Sequence, residues 1–150
     1  QFVYMLVVIV ISGLILNRTK FGRNIYAVGD NKQAASYSGI NSSRVTMTVF
    51  VIMGIFASCA GILSSARTFS AQFNVGEGSE MDAISAVVLG GTSMSGGVGR
   101  LSGTIIGCIV IGVLNNGMNI LGIDSSWQYV VKGVVVLIAV FIDYIKKMKD

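Results

Sequence analysis

Of 150 residues, 53% are hydrophobic and only 12% are charged, and the mean hydropathy is +0.74. A soluble domain carries about a quarter charged residues to solvate its surface, so this composition excludes an ordinary water-soluble globule and points to lipid as the main solvent. The net charge of +4 does not indicate nucleic acid. The cations cluster at Arg18–Arg44 and Lys146–Lys149, flanking apolar runs, with few aromatics interleaved as stacking platforms.

The chain contains no histidine, which removes the commonest metal ligand and general base. No catalytic residue and no metal site are expected. Cys59 and Cys108 lie inside apolar runs and are read as small hydrophobes. The chain starts at Gln1 within an apolar run, with neither Met nor a basic segment before it. A signal peptide would show both, so the expectation is a C-terminal part of a larger membrane domain.

Residues 2–16 are apolar or small, fewer than the roughly 20 needed to cross a bilayer, and read as the end of a truncated span. A polar segment, 17–44, follows. Within it, "GDNKQAASYSGIN" (Gly29–Asn41) carries a good N-cap in Asp30, Gln33 in the capping-box position, and Gly39 as a helix stop. Asn31–Ser38 would then form about two turns of helix, too short to be stable alone. With the small Ala34 and Ala35 beside Tyr37 and Ile40, it suits either a partner's groove or a capped connector on the membrane surface. Spacing does not separate these readings.

Residues 45–66 run 22 positions without a charge, about 33 Å of helix at about 1.5 Å per residue, and form a clear span. The connection 67–82 is net acidic, with Glu77, Glu80 and Asp82 placed where they favour the N-terminus of a following helix. Residues 83–99 form a short apolar piece interrupted by Gly90, Gly91, Gly96, Gly97 and Gly99.

That glycine-rich stretch resembles a phosphate cradle only superficially. Gly97 and Gly99 lack the third Rossmann glycine, and Gly97-Val98 stand where a Walker loop needs Lys and Ser or Thr. In a membrane, glycine instead permits helix breaks and close helix approach, and short or broken helices belong where they are buried in protein or line a cavity.

Residues 101–121 form the next span, with Gly103 and Gly107 spaced for helix contact. Its far end carries Asn115, Asn116 and Asn119, amides that cannot face lipid unpaired. They either join neighbouring helices or line a polar-solute route, and both readings stay open. The last span is 127–144, with Lys132 five residues in. Lys132 is expected to snorkel outward to the interface near Trp127 rather than serve transport. No span holds a pair of carboxylates, which weakens ion coupling.

Lys and Arg number five in 17–44, one at Arg100 and three in the tail 145–150. These regions fall on one side if 83–99 crosses the membrane, against one cation, Arg67, on the other. The positive-inside pattern therefore places the C-terminus in the cytoplasm. The expected fold is an all-α polytopic transmembrane helix bundle with four to five membrane segments.

Four stretches in order resemble the permease subunits of bacterial ABC importers for monosaccharides, the ribose-type group: "GDNKQAASYSGIN", "DAISAVVLGGTSMSGGVGRLSGTIIG" (Asp82–Gly107), "LNNGMNILG" (Leu114–Gly122) and "WQYVVKGVVVLIAV" (Trp127–Val140). The resemblance covers essentially the whole chain, as the C-terminal half of such a permease.

It implies a subunit of the inner membrane that pairs with a second permease copy and receives a monosaccharide, ribose by similarity, from an extracytoplasmic sugar-binding protein. It also implies a cytoplasmic ABC ATPase that holds ATP with Mg, this chain binding no cofactor itself. The coupling helix would comprise Asp30, Asn31, Lys32, Gln33, Ala34, Ala35, Ser36, Tyr37, Ser38 and Gly39. The alternatives are an ion-coupled secondary sugar transporter and a membrane assembly subunit with no solute path.

Overall fold

The computed structural model describes residues 2–69 and 76–149, the side chains of 142, 143 and 146–149 excepted. Its seven helices are α1 (Phe2–Arg18), α2 (Lys20–Asp30), α3 (Lys32–Tyr37), α4 (Ser42–Thr68), α5 (Ser79–Leu89), α6 (Leu101–Ile120) and α7 (Ser125–Lys149). No strand occurs among the described residues, so the fold is all-α. The chain divides into two compact units, Gln1–Glu77 and Gly78–Asp150. The middle of the expected 67–82 connection, residues 70–75, lies outside the described residues.

In the first unit α4, 27 residues long, is apolar enough to cross a membrane. The axis of α1 turns by 72° into α2, and the local chemistry explains the bend. The Thr19 hydroxyl donates to the Ile15 carbonyl at 2.6 Å and accepts from the Gly22 amide at 3.1 Å, ending one helix while capping the next. A Cβ at Gly22 would collide with the Ile15 and Leu16 carbonyls. The segment expected as a polar connection, 17–44, is therefore mostly helical. Its missed signal is Phe21, Ile25 and Val28, spaced i, i+4, i+7, which turn one face of α2 onto a small core with Ala35, Ile40 and Val45.

In the second unit α5 packs against both α6 and α7. The 20-residue α6 is long and apolar enough to span, and Ser125–Phe141 is the apolar part of α7. The expected short segment 83–99 is helical only to Leu89. Its 11 residues reach about 16 Å at about 1.5 Å each, half a bilayer core. Residues 90–100 then double back irregularly, with the Ser93 amide bonded to the Val98 carbonyl at 2.9 Å.

The return is tight because α5 and α6 meet backbone to backbone. A Cβ at Gly107 would overlap the Ala86 carbonyl oxygen, and one at Gly103 would overlap that of Gly90. These pairings run antiparallel and set the register of the hairpin.

Gly107→Val in the complete protein should destabilise it by about 1–3 kcal/mol, the usual penalty of overpacking, and lower its accumulation in the membrane. Gly112 lies on the same helix with open space around it, so Gly112→Ala should be neutral or slightly stabilising. Thermal unfolding of the detergent-purified protein distinguishes the two.

Candidate functional site

Two arrangements of chemistry-bearing residues emerge, one in each unit. The first is α3. Its N-cap is Asn31, whose side chain accepts from the Gln33 and Ala34 amides at 2.9 and 3.0 Å. Asp30, expected to be the cap, is instead the last residue of α2. The shift by one arises because both residues are good caps and α2 uses the first to complete its own last turn.

Ser38 and then Gly39, at φ +81°, end the helix, and the Ile40 amide returns to the Ala35 carbonyl at 3.0 Å. Ala35 is 4% exposed, packed in the core of its own unit. Lys32, Gln33, Ala34, Ser36 and Tyr37 point to solvent, Tyr37 at 89% exposure. The two alanines expected to act together are therefore divided: Ala35 anchors α3, and Ala34 lies on its free face.

The second arrangement joins α5, α6 and α7 at one end of their unit. The Lys132 ammonium lies 2.6 Å from Asp82 Oδ1, and Asn115 Nδ2 donates to Asp82 Oδ2 at 2.8 Å. The Lys132 side chain is only 12% exposed and that of Asp82 29%. Lys132 also sits 5.6 Å from the ring centre of Tyr129, within cation–π range. One sequence expectation is overturned here and one is extended. Lys132 does not snorkel away to the interface, and Asp82, in the first turn of α5 as expected, also pairs with it.

The physical reason is that a charge in an apolar bundle is costly alone, and each of these finds its compensation in the other. Local pattern could not reveal a pairing fifty residues apart.

Of the three asparagines, Asn115 enters this cluster. Asn119 accepts from Gln128 Nε2 at 2.9 Å, and Asn116 is exposed. Gln128 also donates to the Ile123 carbonyl at 2.9 Å, which ties it to the loop between α6 and α7. Asn115 Oδ1 is buried and accepts no hydrogen bond. The glycine-rich stretch forms the turn at the opposite end of α5, where Gly91, Gly96 and Gly97 adopt positive φ. Among the described residues no group of three His, Cys, Asp or Glu side chains could hold a metal ion.

Long apolar helices, a half-length helix folded back on its neighbour and an ion pair held between them define a polytopic membrane protein. The profile of the family described as branched-chain amino acid transport system / permease component matches residues 1–140. The chain belongs to this family of membrane permeases.

It is 50% identical over 139 residues to the ribose import permease protein of Bacillus subtilis, covering 93% of this chain and 43% of that protein. The ribose import permease protein of Escherichia coli K12 is 49% identical over 137 residues, 91% of this chain and 43% of the relative. The xylose transport system permease protein of Haemophilus influenzae is 44% identical over 148 residues, 98% of this chain and 40% of the relative. The chain thus spans about two fifths of the length of these curated relatives. No solved structure matches it.

The loop between α6 and α7, to which Gln128 is bonded, has its own electrostatic anchor. The Ser126 amide donates to Asp124 Oδ1 at 2.8 Å, and this bond holds the Asp124 carboxyl below its ordinary range, with the Ser126 side chain adding to the effect. A depressed carboxyl stabilises the start of α7 above its unfolded pKa, and that contribution disappears as pH falls through the folded value. Carboxyl-carbon NMR should therefore find Asp124 titrating below a free aspartate, and Ser126→Pro should return it toward the free value.

Proposed function

We propose that this chain is the C-terminal part of a permease subunit of an ATP-driven ABC importer for a monosaccharide, ribose foremost, working by alternating access. Its relatives named for ribose and xylose import support the substrate class. The positive-inside pattern supports an orientation in the cytoplasmic membrane with residues 17–44 and the C-terminus inside. In this reading the permease pairs with a second copy, takes sugar from an extracytoplasmic binding protein, and docks a cytoplasmic ATPase where ATP and Mg are held.

The observation that carries the coupling assignment is the construction of α3. It is a capped, two-faced helix whose inner residue, Ala35, is locked against Val28 of α2 and Val45 of α4. Its outer face, with Tyr37 almost fully exposed, is free to dock. A push on that face passes directly to Val45 at the start of α4.

ATP binding that draws two ATPase subunits together would thus move α3 and tilt α4, shifting the equilibrium between outward- and inward-open states. Such a shift requires contacts that differ between the two states, and a docked helix can supply them. Asn115, Asn116 and Asn119 would lie beside the polar route, offering donors and acceptors to hydroxyls.

The two faces of α3 predict different outcomes in the complete transporter. Tyr37→Ala and Ala34→Arg should each cut ATPase co-purification and ribose uptake about tenfold, equivalent to about 1.4 kcal/mol of docking energy. Both should leave the amount of permease in the membrane unchanged. Ala35→Arg should instead lower the amount of permease itself. Wild-type association and uptake in both outer-face variants would contradict the coupling role.

A further inference from the structure

The polar side chains of the second unit are stacked in two layers. Asn119 and Gln128 form the first, bonded to each other at 2.9 Å. One helical turn deeper on both α6 and α7 lie Asn115 and Lys132, which meet at Asp82 of α5. The layers are therefore about 6 Å apart at about 1.5 Å per residue. A turn further still Ile111 and Ala86 are 4% and 3% exposed and apolar, and the buried Ser85 beside them spends its hydroxyl on the Met81 carbonyl of its own helix. The polar track therefore ends there, and its outer layer lies at the end where α5 and α7 begin and α6 finishes.

We propose that these two layers form a binding vestibule for a neutral, hydroxyl-rich solute, with Asp82, Lys132 and Asn115 as its inner contacts and Asn119 and Gln128 at its mouth. The inference rests on the import reading above and adds Asp82, Lys132 and Gln128 to the route.

Three observations select this class of ligand. Asp82 and Lys132 neutralise one another, so the site has no net charge with which to attract an anion or a cation. Asp82 Oδ1 is buried against Lys132, while the side chain as a whole stays partly exposed. A carboxylate oxygen that already accepts from Asn115 can accept from one hydroxyl more, while an ammonium with spare protons donates to a second oxygen. Asn115 Oδ1 is a buried acceptor without a donor. Leaving such a group unpaired is costly, so an arriving hydroxyl that donates to it removes a penalty present in the empty state. Reaching it requires the mouth to loosen, and a single Gln128–Asn119 bond closes that mouth.

The test uses the complete permease assembled with its partner subunits, its native cysteines replaced by serine and Asn119→Cys introduced. A membrane-impermeant maleimide added from outside should label this cysteine, and ribose should slow labelling about fivefold to tenfold, the equivalent of one or two hydrogen bonds. The slowing should be weaker with 2-deoxyribose and absent with leucine.

Adding Asn115→Leu or Asp82→Asn should abolish protection. It should also bring the ratio of ribose to 2-deoxyribose uptake, at saturating sugar and per permease in the membrane, close to one. The exchange Asp82→Lys with Lys132→Asp keeps an ion pair and should not restore that ratio.

No protection by ribose, protection by leucine instead, or full restoration by the charge exchange would overturn the vestibule, the last by making the pair purely structural. A wild-type permease that takes up no monosaccharide overturns the import reading as well. One that imports ribose while its Asn119→Cys variant gains no protection from ribose overturns the vestibule alone.

Discussion

The second unit depends on one contact, the direct approach of the α5 and α6 backbones where Gly103 meets Gly90 and Gly107 meets Ala86. In lipid no hydrophobic force draws helices together, so association relies on close van der Waals packing and interhelical hydrogen bonds. Small residues permit both. One turn further along α5 and two turns further along α6, the Asn115 side chain reaches Asp82. Packing at one end of the hairpin thus determines which polar groups meet at the other. An 11-residue helix, too short to cross a bilayer, is held here because one face of it, Ser85, Ala86 and Val88, is buried in its unit.

The first unit solves a different problem by similar means. A helix of six residues, α3, has no independent stability. It persists because Asn31 caps it and because Ala35 fits between Val28 and Val45. A short helix held this way moves with what it rests on, which is the property a coupling element needs. Its small inner core and exposed outer face are two consequences of the same sequence, "NKQAASYSG", in which each residue's side is set by helical geometry.

The sequence reveals what is local and hides what is distant. The spans 45–66 and 101–121 are legible because bilayer thickness imposes an uncharged run of fixed length. The structure adds only three residues at the start of the first and two at its end. The short helix around 31–38 is legible from its caps, to within one residue. Helix α2 is not, because its composition is polar on average and only three apolar residues, Phe21, Ile25 and Val28, mark its inner face. Lys132 misleads because it has a sufficient local explanation, snorkelling. Asp82 hides a second role behind a first that holds, its place in the first turn of α5, and their pairing is set by tertiary register. Asn115, Asn116 and Asn119 look alike in sequence but differ in structure: a step of about 100° sends Asn116 to solvent, while Asn115 and Asn119 share a face one turn apart, at the ion pair and at Gln128.

If the complete permease imports a monosaccharide at the expense of ATP bound elsewhere, as we propose, its uptake must outlast the ion gradients. The most direct measurement is uptake of labelled ribose by cells that lack other ribose importers and express the complete permease with its partner subunits. Uptake is followed after a protonophore has collapsed the ion gradients while ATP is maintained. Uptake that continues at its initial rate is the predicted result; uptake that stops with the gradients while ATP remains would contradict the account.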